Sequence, residues 1–214
     1  MDTSAKKQRV EPVIRATQYT DAGIEGDFSY MMDHPSYEKT LFVFNENVID
    51  MLTSCKAGSG NACIRPETWP KKRKREARAI GIPTGWSKEC GGFKELTDEV
   101  KEIIDLSIER LHSQRCIMKA KELIYSSDAD NTIGCGTFDV DESVRKYITE
   151  QINNIPQLAE PRDMPRIRKD EWKYYKLAEA FTRLKKAKMM VCDANKHIET
   201  VLKVMSFAKE STEQ

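Results

Sequence analysis

KTLFVFNEN (39–47), followed after nine residues by AGSGNACIRP (57–66), decides how this chain is read. The run 39–44 is apolar, aromatic and β-branched, and too short for a buried helix, so it predicts a buried strand that Asn45, Glu46 and Asn47 bring to an end. The second stretch carries Gly58, Gly60 and Asn61. Such residues either close a tight turn or let backbone approach an anion where a Cβ would collide. The residues alone leave both uses open.

Two further strands are expected on the C-terminal side. ARAIGIP (77–83) is ended by Pro83, Thr84 and Gly85, and KELIYSS (121–127) runs into the polar DADNT. Between them Val100, Ile103, Ile104, Ser107, Ile108 and Leu111 recur at helical spacing behind Thr97 and Glu99, where a helix start is expected. Val144, Tyr147, Ile148, Gln151 and Ile152 repeat the pattern in 139–155. Strands alternating with helices of this size predict crossovers and a largely parallel, helix-covered sheet.

On this basis residues 1–38, with the turn-forming DAGIEGD and DHPSYEK, form an N-terminal tail and wrapping loops. Residues 39–155 form the α/β domain, and the proline-rich 156–167 a linker. Residues 168–214 form a helical C-terminal extension with Tyr174, Leu177, Phe181, Leu184 and Val191 on one stripe and Ile198, Val201, Leu202 and Met205 on another. Those stripes are expected to dock on the domain or to self-associate into a homo-oligomer.

Composition narrows the function classes. Of 214 residues 39% are hydrophobic and 32% charged, and 35 basic against 34 acidic side chains leave a net charge of +1. No global field therefore recruits nucleic acid or an anionic membrane, and such attraction must be local. No apolar run reads as a signal peptide or membrane span, so no membrane association and an intracellular location, cytoplasmic or nuclear, are expected. Six cysteines without a CxxC pair and three histidines do not make a zinc site. No metal and no cofactor are expected. The local charge is PKKRKRE (70–76): Lys71, Lys72, Arg73, Lys74 and Arg75 resemble a nuclear-import signal, and also fit a nucleic-acid patch or a solvated connector.

Each expected strand runs into a loop rich in Gly, Asn, Asp or Thr, the last being SDADNTIGCGTFDVD (127–141). In open α/β sheets ligands bind beyond the carboxyl ends of the strands. GSGNACIR is similar to the macrodomain segment in which a glycine-rich turn and a short helix surround the distal ribose of ADP-ribose. IGCGTFDVDESVRKYI resembles the second phosphate loop of that family and its following helix. The resemblance covers residues 40–155 and is of a divergent kind, as in uncharacterised viral and microbial proteins: FNEN replaces an asparagine-alanine-alanine-asparagine run, Ser59 interrupts the glycine triplet, and Gly134-Cys135 stands where Ser-Thr is usual.

The resemblance implies a three-layer αβα fold with a mostly parallel sheet that binds ADP-ribose, a related nucleotide diphosphate or an ADP-ribosylated substrate. It places Asn45 and Asn47 at the end of the first strand, Gly58, Gly60 and Asn61 along the distal ribose, and Gly134, Cys135, Gly136, Thr137 and Phe138 around the diphosphate and ribose. If the site hydrolyses an ADP-ribosyl linkage, Asn61 would position the water and Asp139 is the nearest candidate base by loop position. Asp139 fits a helix N-cap better than a base, given how strongly Asp is preferred there. Cys135, with no histidine near it in sequence, fits an inert thiol better than a nucleophile. The reading from a different class is a non-enzymatic interaction protein, in which the basic run contacts nucleic acid or an import receptor and the C-terminal helices bind a partner.

Overall fold

A computed structural model describes residues 12–155 other than 54–57, 59, 67, 68, 70–76, 89 and 137. The expected linker, the helical extension and the basic run fall outside these residues. The chain divides into two units, Met1–Met164 and Pro165–Gln214, and every described residue belongs to the first.

The elements in chain order are β1 (Val13–Thr17), α1 (Phe28–Asp33), β2 (Thr40–Asn47), α2 (Val48–Thr53), β3 (Ala79–Ser87), β4 (Gly91–Gly92), α3 (Asp98–Met118), β5 (Glu122–Ser126) and α4 (Glu142–Asn154). A 3-10 turn follows α1 at Pro35–Tyr37 and another, Gly60–Ile64, lies between α2 and β3. The strands form one sheet in the order β1-β5-β2-β3-β4. β1, β5, β2 and β3 run parallel, and only the two-residue β4 is antiparallel. The molecule is an α/β protein with a mostly parallel sheet.

The centre of the sheet follows from the sequence that forms it. In β2 every residue but Asn45 is buried, which requires cover on both faces, as parallel strands do. Phe42 and Phe44 join Phe28, Met31 and Met32 of α1, Ile64, Trp69, Ala79 and Ile124 in one apolar cluster. The Phe28 and Phe42 rings meet tilted at 4.9 Å. Leu41 and Val43, equally buried, point the other way by the alternation of a strand. α3 packs against β3, with Ile103, Ile104 and Leu111 sealed from solvent.

α3 starts at the expected cap, where the Thr97 side chain accepts from Val100 N–H at 3.3 Å. α4 starts at Asp141, whose carboxylate accepts from Ser143 N–H at 2.9 Å. Asp139, the alternative cap read from the sequence, lies two residues before this cap.

Three features differ from the sequence expectation. Residues 1–38 do not only wrap, since β1 pairs with β5 and α1 supplies three core side chains. β2 does not stop at Asn45 but carries Asn45, Glu46 and Asn47 as its last residues. β3 does not end at Pro83 but runs on to Ser87. Pro83 stands in register with Glu46 on one side, while on the other β4 pairs only with Gly85 and Ser87, so Pro83 occupies a stretch of β3 that has no registered partner on its outer side, where proline is tolerated. No helix among the described residues is long and apolar enough to cross a membrane.

Candidate functional site

The parallel strands β1, β5, β2 and β3 all end on one edge of the sheet, and the loops of interest emerge there. After β5 the chain makes a small return: Ser127 and Ile133 form an antiparallel bridge, and Asp128 N–H donates to Thr132 O at 3.1 Å. Arg145 of α4 holds this return, donating to Asp130 Oδ1 at 2.8 Å and Oδ2 at 2.9 Å and lying 3.2 Å from Asp128 Oδ2. Hydrogen bonds from the Thr132 side chain and amide, with Arg145 nearby, keep the Asp130 carboxyl below its ordinary value.

The return brings the chain back to the strand ends, which it then crosses. Gly134 N–H donates to Ser126 O of β5 at 2.9 Å. The Cβ position of Gly136 lies 3.6 Å from Asn45 Nδ2 of β2. Farther along, the space a Cβ on Gly92 would need is filled by Asp139 O at 2.4 Å and Val140 Cγ2 at 2.6 Å, and Asp141 N–H donates to Phe93 O at 2.9 Å. The segment 134–141 thus runs over the ends of β5, β2 and β4 in turn.

At its middle Phe138 N–H donates to Cys135 O at 3.1 Å, closing a tight turn whose second residue, Gly136, has φ +60°. Among the described residues the N–H groups of Cys135 and Gly136 and the Asn45 amide meet no protein partner. A turn through a left-handed residue with successive free N–H groups is an anion-binding concavity, and a half-buried amide beside it offers one acceptor and two donors.

The first glycine loop reaches the same edge from the other side. Gly58 packs onto the following 3-10 turn, where its Cβ would fall 2.4 Å from Ala62 Cβ. Gly60 has φ +54°, and no atom of the described residues lies within 4 Å of its Cβ position. Asn61 is buried; its Oδ1 accepts from Phe28 N–H at 3.0 Å and its Nδ2 donates to Ser126 Oγ at 3.0 Å. Arg65, just past the turn, is buried and reaches Glu46 Oε2 at 3.2 Å. The loop is therefore clamped at Asn61 and again at Arg65, with Gly60 before both.

The structure sorts the residues singled out in the sequence. It brings together Asn45, Gly134, Cys135 and Gly136, with half-buried Phe138 closing their turn; Thr137 lies outside the described residues. Asn47 is engaged elsewhere, its Oδ1 accepting from Asp50 N–H at 2.8 Å and its Nδ2 donating to Asp50 Oδ2 at 3.0 Å, where it caps α2. Asn61 and Asp139 are not brought together. The strand bearing Ser126 and the strand under Asp139 are three neighbours apart in the sheet, roughly 14 Å at ordinary strand spacing. The Asp139 side chain is almost wholly exposed and pairs with Lys94. Burial pushes the Cys135 thiol up to about 11, against a smaller opposing effect of Arg145.

One residue that bears on the edge was missed in the sequence. Asp27, read as part of a loop, accepts from Gly23 N–H at 2.8 Å, Ser29 N–H at 2.9 Å and Ser29 Oγ at 2.7 Å. Burial raises this carboxyl, but the hydrogen bonds from Gly23, Ser29 and Tyr30 together outweigh it and hold it below its ordinary value. The signal was present in DFSY: Asp is among the residues preferred at a helix N-cap, and here it stands directly before Phe28, the first buried residue of the helix. Among the described residues no group of three or more His, Cys, Asp or Glu is placed to hold a metal ion. No protein-family model, curated protein or solved structure matches this chain.

Proposed function

We propose that the carboxyl edge of the sheet binds ADP-ribose or a related nucleotide diphosphate. The observation that carries this is the free Asn45 amide standing beside the Gly136 turn, whose neighbouring N–H groups are also free. Backbone amides would take the diphosphate and the Asn45 amide a ribose hydroxyl, while Gly60, with nothing among the described residues within 4 Å of its Cβ position, leaves room for the ligand over the first loop. The similarity of GSGNACIR and IGCGTFDVD to macrodomain loops supports the nucleotide diphosphate over a bare anion. The proposal is of binding, because the pair expected to hydrolyse a linkage, Asn61 and Asp139, is separated across the sheet.

Isothermal titration of the full chain with ADP-ribose, NAD, ATP and a single-stranded RNA tests it. Saturable binding of ADP-ribose that Asn45→Ala weakens about tenfold, the loss of two good hydrogen bonds, is the expected result. Absence of ADP-ribose binding by the wild type, or an RNA response alone, overturns it.

A further inference from the structure

Asn61 carries more than a local contact. Asp27 satisfies Ser29 and Tyr30 at the start of α1 but leaves Phe28 N–H, and Asn61 Oδ1 takes that donor. The same amide donates to Ser126 Oγ, while the carbonyl of Ser126 receives Gly134 N–H. One buried side chain thus joins the start of α1, the 3-10 turn of the first glycine loop, and the strand end from which the second glycine loop departs.

We propose that Asn61 is a positioning residue that couples the two glycine loops: the order of the turn at Gly60 and that of the turn at Gly134 to Gly136 are linked through Asn61 and Ser126. The importance of this link for ligand binding rests on the site proposed above, but the link itself does not. Both ends of the amide are used and buried, so removing it strands a buried N–H and a hydroxyl at once. Of the common replacements only Asp keeps the shape, accepting from Phe28 N–H and from the Ser126 hydroxyl, though with a buried charge. Coupling through a shared bond is reciprocal, so disturbing Ser126 must loosen the first loop as disturbing Asn61 loosens the second.

Residue-resolved amide exchange on the full chain tests this, with wild type, Asn61→Ala, Asn61→Asp and Ser126→Ala. In Asn61→Ala the hydrogen-bonded amides of the second loop, Gly134 and Phe138, should exchange about tenfold faster, with partial recovery in Asn61→Asp. In Ser126→Ala, the milder variant, the amides of Asn61 to Ile64 should speed up comparably. A role confined to capping α1 would speed Phe28 and its neighbours and leave Gly134 and Phe138 unchanged, which overturns the proposal. If Asn61→Ala fails to fold, Ser126→Ala decides alone: unchanged exchange at Asn61 to Ile64 overturns it. Adding ADP-ribose separates the two claims, since a wild type that shows the exchange coupling yet no ADP-ribose protection defeats the function and not the link.

Discussion

Gly81 lies so close to Glu46 that a Cβ on it would fall 2.0 Å from Glu46 Oε1 and 2.1 Å from Cδ. The absent side chain on β3 is the space in which the buried Glu46 carboxylate meets Arg65 at 3.2 Å. This pair ties the end of β2 to the segment leaving the first glycine loop.

Gly81→Ala should therefore displace a buried ion pair and destabilise the fold by about 3 kcal/mol, in the range for breaking such a pair. Urea denaturation measures it. Combined with Glu46→Ala the cost should be well below the sum of the two, because both substitutions break the same contact; strict additivity would mean that the two residues do not interact.

Asp27 makes stability depend on acidity. Its folded-state pKa lies below the ordinary 3.8, so the stabilisation from its ionised form is fully present above that value and is lost as pH falls through the depressed folded value. Melting temperature measured down an acid series should fall less steeply for Asp27→Asn than for wild type. At neutral pH Asp27→Ala should cost about 1 kcal/mol, the usual loss for a helix cap.

Cys135 should be inert to thiol reagents in the folded protein at neutral pH. Its thiol stands near 11 and its side chain is buried. Peptide mapping after brief alkylation should show Cys63, Cys90 and Cys116, which are half-buried, modified well before Cys135, and unfolding should erase the difference. Preferential labelling of native Cys135 would restore it as a candidate nucleophile.

Gly60→Val and Gly136→Val place a branched side chain at φ +54° and +60°, which costs about 1 to 2 kcal/mol in backbone strain. Among the described residues neither Cβ position meets an atom closer than 3.6 Å, so both proteins should fold, with circular dichroism as the check. ADP-ribose affinity should fall about tenfold or more. Unchanged titration curves in both would leave these glycines as turn residues only.

Removing residues 1–38 should abolish folding. Phe28, Met31 and Met32 are wholly buried, and at about 1.5 to 3 kcal/mol each their loss equals much of the stability of an ordinary domain. A 39–155 fragment with a cooperative thermal transition would show that β2, β3 and β5 suffice without β1 and α1.

The parts of the fold that were legible are those whose pattern is local. The stripe from Val100 to Leu111 and the cap at Thr97 announce α3, and the apolar run ending in FVF announces β2. β1 was not legible, because VIRAT is short and only half-buried; its identity as a strand comes from a partner far along the chain. α1, at six residues, is too short to show a period, and its evidence was the Asp27 cap. Of the candidate site, the glycines at positive φ could be read from residue type, since few other residues suit that backbone. That Asn47 and Asn61 turn their amides inward could not, as an asparagine reads the same in sequence whether it faces a ligand or a neighbouring loop.

The strand order also sets a timetable for the chain as it is made. Among the described strands β1 is synthesised first and its neighbour β5 last; Arg15 and Glu122, which meet across that pair, are 107 residues apart. At ordinary translation speeds that interval is roughly ten seconds, during which Val13 to Thr17 has no partner strand and the apolar face of α1 lacks Ile124. The emerging N-terminal third must therefore be shielded or tolerate exposure until β5 leaves the ribosome. On refolding, the same long loop closure must come before the sheet is complete, and such non-local pairing is slow relative to local helix formation.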